Sequence, residues 1–276
     1  MRSGDDHAVS QQTEGSPTPA DLLGTRFLIH FEEETLRHRP LWLRVIVEFL
    51  GTFVLVTVAA GSGVINHYVG GSPPISRVAA VIAPGAVVMA MIYALGPLSG
   101  LHINPAVTLA FAGRRVFKVA WVAPYLVAQM AGALCAATFL QVMYGHVSAG
   151  GNYPIAKPGG EWRSFVMEIV LTAILVTVIL HTATGYRSIG HNAALAVGAT
   201  IAMDGLFASP ISGASMNPAR SLAPDIVGLH FTGWWIYVAG PCIGAALAVM
   251  IIALLRGLPN KEEIEAAEGG ALPVSR

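Results

Sequence analysis

Six apolar stretches alternate with short polar, Gly- and Pro-rich connections along the chain, at about 42–66, 78–96, 119–143, 162–183, 192–210 and 232–255. At 1.5 Å per residue each is long enough to cross a hydrocarbon core of about 30 Å, and each predicts a transmembrane helix. Two shorter apolar runs follow the second and fifth stretches. They open with Asn104-Pro105-Ala106 and Asn217-Pro218-Ala219. Asn is a favoured helix N-cap, and Pro at the first helical position gives up an N–H that would have no partner there, so each Asn-Pro predicts a helix start. The first run stops at Gly113, before Arg114 and Arg115, and the second at Gly228. Roughly nine to eleven residues reach about 13–17 Å, half of the core, which makes both runs half-spanning helices.

Composition agrees with a membrane setting. The 276 residues are 54% hydrophobic and 12% charged, where a soluble domain carries about 25% charged residues. The formal net charge is zero, so no overall field favours nucleic acid. Cys135 and Cys242 both fall inside apolar segments and read as small packing residues. Residues 1–40 are polar and lack the apolar core of a signal peptide, which predicts a largely flexible tail, with 25–36 as the one stretch that favours a surface helix. The acidic segment 257–276 reads as a second such tail.

An even number of spans places both termini on one side. Arg26, Arg37, Arg39, Arg44, Arg114, Arg115, Lys118, Arg187, Arg256 and Lys261 fall on that side, against Arg77, Lys157 and Arg163 on the other. The excess of basic residues predicts cytoplasmic termini. The first half-helix then enters from the cytoplasm and the second from outside, so the two are expected to meet head to head.

The chain also repeats itself. Trp42 to Glu48 aligns with Trp162 to Glu168, Thr52 with Thr172, and Leu55-Val56-Thr57-Val58 with Leu175-Val176-Thr177-Val178, without a gap. Three spans per half is an odd number, so the second copy sits upside down. The prediction is an all-α membrane protein with one channel domain, 41–256, made of repeat one (41–144) and repeat two (162–256). Its functional site is expected where the halves meet.

Paired Asn-Pro-Ala boxes, the second followed by Arg220, with Glu48 and Glu168 in spans one and four, resemble the aquaporin or major intrinsic protein family over roughly residues 41–256. The strings Ser212 to Leu222 and Trp235 to Pro241 are most similar to the nodulin-like intrinsic proteins and their bacterial relatives. That branch is associated with glycerol and undissociated metalloid acids as well as water. The resemblance implies a passive channel for small uncharged solutes in a homotetramer, with one pore per subunit and no cofactor or metal. It implies that Asn104, Pro105, Ala106, Asn217, Pro218 and Ala219 form the pore centre. Carried over position by position, the selectivity filter is Pro84, Gly205, Ala214 and Arg220. The chain departs from water-selective members in having Pro84 and Gly205 where a bulky aromatic and often His stand. Asp204, Asp225 and Pro97 are further departures.

The physics of the boxes stands beside the name. Two facing helix N-termini place about half a positive charge each at the pore centre, a barrier to cations and protons. The Asn104 and Asn217 amides can donate to a passing oxygen, and carbonyls at 101–103 and 214–216 can line the lumen, where unwound backbone is tolerated. Glu48 and Glu168 read as loop anchors that accept from buried N–H groups, against the proton-coupling role an intramembrane acid can have. His102 reads as another loop anchor. The remaining histidines show no metal-ligand spacing, Met89, Met91, Met143 and Met167 read as packing, and Gly132 and Gly244 read as points of close helix approach. No nucleophile–base constellation supports an enzyme. A water-selective aquaporin, a secondary transporter with the same inverted-repeat logic and a non-conducting structural protein stay open as alternatives.

Overall fold

The computed structural model describes residues 39–182 and 192–269, apart from the side chain of Glu262. The stretch 25–36, Arg187 and His191 lie outside the described residues. The six spans form α1 (Leu41–Val69), α2 (Arg77–Ser99), α4 (Val119–Tyr144), α5 (Gly160–Thr182), α6 (Ala193–Ser212) and α8 (Ile236–Arg256), and all six are long and apolar enough to cross a membrane. The half-helices are α3 (Pro105–Gly113) and α7 (Pro218–Gly228). At nine and eleven residues they reach roughly 14 and 17 Å.

The packing obeys the internal repeat. α1 lies along α4 as α5 lies along α8, and α2 and α6 pack on each other at the centre. Small residues set these distances. A Cβ on Gly132 would run into the Phe49 carbonyl, and one on Gly244 into the repeat-related Ile169 carbonyl. Gly85 and Gly198 meet reciprocally, each facing the other's carbonyl, so the α2–α6 contact marks the pseudo-two-fold axis. Outward faces carry exposed apolar side chains such as Val127, Val142, Leu254 and Leu255, which suits contact with lipid. Cys135 belongs to this exposed surface and does not pack as its composition implied, while Cys242 is half-buried; both are free thiols.

The C-terminal segment departs from the flexible tail that its composition predicted. Residues Lys261–Glu268 form a helix, α9, whose N-cap Asn260 accepts from the Glu263 N–H at 2.9 Å. Arg114, just past the end of α3, donates from Nε and Nη2 to Glu263 at 2.9 and 3.2 Å and from Nη1 to the Gly257 carbonyl at 2.6 Å. Arg44 donates to the Glu268 carbonyl. Ala267 is fully buried in one core cluster with Ala106, Phe111 and Phe117. The charges at 261–268 suggested a solvated face, but Glu263 and Glu268 are ion-pair partners of Arg114 and Lys118, and one alanine is a core residue.

Glu263→Ala is expected to lower thermal stability in detergent, because Arg114 would stay buried without its carboxylate, a loss of about 3–5 kcal/mol. The apolar double replacement Arg114→Met with Glu263→Leu should recover most of it. Thermal unfolding followed by circular dichroism checks both.

Candidate solute pathway

The backbone leaves its helical path twice at membrane depth, and both departures have one geometry. After α2, Leu101 and Ile103 take φ of 44° and 42°; after α6, Ala214 and Met216 take 51° and 55°. Left-handed conformations on non-glycine residues cost of order 1–3 kcal/mol each and persist only where surroundings enforce them. Here the enforcement comes from Glu48 and Glu168, both fully buried. Glu48 Oε1 accepts from the His102 N–H at 2.8 Å and Ser99 Oγ at 2.9 Å, and Oε2 from the Ile103 N–H at 2.7 Å and Gln129 Nε2 at 2.8 Å. Glu168 Oε1 accepts from Ser212 Oγ at 2.6 Å and the Ser215 N–H at 2.9 Å, and Oε2 from the Met216 N–H at 2.8 Å. Tyr125 and Tyr237 donate to the Ser99 and Ser212 carbonyls, each at 2.8 Å, and complete two repeat-related cradles.

Each loop delivers its Asn to the start of a half-helix. Asn104 Oδ1 accepts from the Ala106 N–H at 2.9 Å, and Asn217 Oδ1 from the Ala219 and Arg220 N–H groups at 3.0 and 3.3 Å. The amide nitrogens cross between the halves: Asn104 Nδ2 donates to the Met216 carbonyl and Asn217 Nδ2 to the Ile103 carbonyl, both at 2.8 Å. The two helix N-termini therefore face each other. One N–H of each amide serves this tie, which leaves the second for another acceptor.

A cavity of about 1020 Å³ runs past these residues, with Arg77 and Ser209 toward one end and Glu265 and Ala266 at the other. Asn104 and Asn217 line it, as do Pro84, Gly205, Ala214 and Arg220. Pro105, Ala106, Pro218 and Ala219 are not among its walls. Ala106 and Ala219 are fully buried in two separate core clusters behind the asparagines, so their contribution is packing and the fixed start of each half-helix. Arg220 is held from both sides, Nη1 donating to the Gly150 carbonyl at 3.0 Å and Nη2 to the Ala59 carbonyl at 3.1 Å. The lining on the α2 and α6 side includes apolar Val81, Val88, Val197 and Ile201. The result is a passage with fixed donors on one wall and hydrocarbon on the other.

The two carboxylates that depart from the family pattern stay off this wall. Asp204 is fully buried and is not part of the cavity lining, and its oxygens have no hydrogen-bond partner among the described residues. Asp225 is likewise fully buried, close to Tyr153, whose hydroxyl is held above its ordinary pKa by burial first and by this carboxylate second. His102 anchors the first loop: Nε2 meets the Ala267 carbonyl at 2.9 Å and Nδ1 meets Thr108 Oγ1 at 3.1 Å. A carbonyl can only accept, so the ring proton sits on Nε2.

Several residues escaped the sequence reading. Gln129 bridges Glu48 and Thr108 at 2.8 and 2.9 Å. Buried Asn152 accepts from Ser221 at 2.9 Å. Arg77 donates to the Leu206 carbonyl at 3.0 Å and to Ser209 Oγ at 3.3 Å. That carbonyl is free because Pro210, four residues on, has no N–H, and Pro210 was the one signal in the chain for this contact.

A six-span inverted repeat whose half-helices meet over a passage of fixed donors is the architecture of a membrane channel. A family model described as Major intrinsic protein matches residues 35–252. Aquaporin NIP1-1 from Oryza sativa subsp. japonica is 42% identical over 234 residues, covering 84% of this chain and 80% of its own length. Aquaporin NIP1-1 from Zea mays is 43% identical over 219 residues, covering 79% and 76%. The solved aquaglyceroporin from Plasmodium falciparum shares the fold with a TM-score of 0.66 at 24% identity, covering 77% of this chain and 96% of its own. The chain belongs to the major intrinsic protein family, a family of transport proteins.

Glu168→Leu should leave the Ser215 and Met216 N–H groups unpaired, at about 1–3 kcal/mol each, with a clear fall in folded yield and unfolding temperature. Glu168→Gln keeps one acceptor oxygen and should fall by about half as much. Size-exclusion recovery and thermal unfolding distinguish the two.

Proposed function

We propose that the protein is a passive channel in the cell membrane, with cytoplasmic termini and four pores per homotetramer, for water and small uncharged hydroxy compounds: glycerol and metalloid hydroxy-acids. The observation that carries this reading is the crossed pair of asparagine ties, which fixes two amide donors and two half-helix N-termini on one passage. A water or hydroxyl oxygen there meets the two amide donors together. It is oriented as an acceptor, and a proton-conducting chain through it is interrupted. The half-helix dipoles and Arg220 add positive potential that opposes cations, the barrier general to aquaporin-type pores. Pro84, Gly205 and Ala214 carry no long side chain of their own, so no aromatic stands beside Arg220 to exclude a three-carbon solute. The similarity to aquaporins of the NIP type supports the same solute range. The carboxylates tell against ion coupling, because Glu48 and Glu168 are engaged by fixed donors within the loops.

Proteoliposomes test the reading directly. Swelling in an iso-osmotic glycerol gradient is expected to be rapid and non-saturating; exclusion of glycerol with rapid water flux would establish the water-selective alternative, and saturating flux that follows an ion gradient would establish a transporter. Arg220→Val should raise proton or cation leak, read with an internal pH dye. A unit charge about 5 Å from a passing ion, at an effective dielectric near 20, contributes roughly 3 kcal/mol of repulsion, so the leak should rise by up to about a hundredfold. An unchanged leak in folded protein would remove Arg220 from the pore.

A further inference from the structure

We propose that Val81 sets the width of the passage on its α2 side and that Gly205 is glycine because it must admit Val81. This rests on the channel reading above and adds a specificity-determining residue to it. The levels along the two central helices can be read from their contacts. Arg77 reaches Leu206 and Ser209, Val81 stands against Gly205, and Gly85 stands against Gly198 and Ala202. α2 and α6 therefore run antiparallel, and the residue of α2 at the height of Gly205 is Val81. Pro84 lies three residues further on, roughly 4.5 Å deeper along the helix.

The space that Gly205 leaves is occupied. A Cβ on Gly205 would stand 2.8 Å from Val81 Cβ, closer than folded proteins allow, and in ordinary contact with its Cγ1 at 3.4 Å. Val81 and Gly205 both line the cavity, and Val81 is only half-buried, so part of it faces the open passage. A β-branched side chain in a helix holds essentially one rotamer, which makes its two methyl groups a rigid gauge. The helix that carries it is also fixed. One turn above, the Arg77 guanidinium is clamped on the carbonyl that Pro210 frees. One turn below, Gly85 and Gly198 are in backbone contact. Val81 cannot retreat, and the passage takes its width at this height from the valine itself.

The test uses the full-length protein in proteoliposomes and a series of uncharged polyols with three, four and five carbons, each measured against water. Val81→Ala is expected to raise the four-carbon-to-water permeability ratio about tenfold. Val81→Phe should lower glycerol flux at least tenfold while water flux changes by about threefold or less. Thermal unfolding gives a readout independent of conduction: Gly205→Ala should destabilise the protein, and adding Val81→Ala should restore it. If the unmodified protein conducts neither water nor glycerol, the channel reading fails, and the unfolding cycle still decides whether the two residues interlock. If it conducts but the polyol-to-water ratios stay within twofold in both Val81 variants, Val81 does not set the width and the inference is overturned.

Discussion

Backbone that leaves the helical ladder inside a membrane must find its hydrogen bonds within the protein, and here two carboxylates supply them. Glu48 and Glu168 each accept two consecutive N–H groups from a segment that alternates into the left-handed region. The rest of the site depends on that capture. It places Asn104 and Asn217 at the starts of their half-helices, brings the carbonyls of Ile103 and Met216 within reach of the opposite amide, and so joins the two repeats at the centre. A chain without those acids would have to close the same loops with four backbone N–H groups left without partners in hydrocarbon.

Polar groups are divided by task in consequence. Acceptors that would be a hazard on a solute path are turned inward against fixed N–H donors, while the donors of Arg220 and the asparagines remain on the cavity. Even the guanidinium is shared out, two of its nitrogens bonded to backbone carbonyls. The opposite wall is hydrocarbon from α2 and α6. A solute with hydroxyls on one side and carbon on the other matches both walls, and a bare cation matches neither.

Much of this was legible in the chain, because the repeat is written in residue types as well as in hydropathy. The pairing of Glu48 with Glu168 at one offset, and of the two Asn-Pro starts at another, gives the spans, the inversion and the half-helices from spacing alone. What could not be read are features that depend on distance between helices. Gly205 and Pro84 announce missing side chains, but whether a neighbour fills the gap depends on how closely α2 approaches α6, and that is set by the contact between Gly85 and Gly198. Arg77 looked like one more charge at a membrane boundary, since its partner is a carbonyl exposed by a proline in a different span. The segment 261–268 looked solvated because its two buried contacts, through Glu263 and Ala267, are outnumbered by charges.

That last segment alters the order in which the protein can be completed. The first half-helix, near residue 105, has its far end bonded by Arg114 to Glu263, and the loop before it has His102 bonded to Ala267. These partners emerge from the ribosome some 150 residues later. Inversion makes the two repeats equals in geometry, but synthesis does not: the earlier one waits, with the Arg114 guanidinium and the His102 Nε2–H unpaired, until the helix at 261–268 arrives to close it.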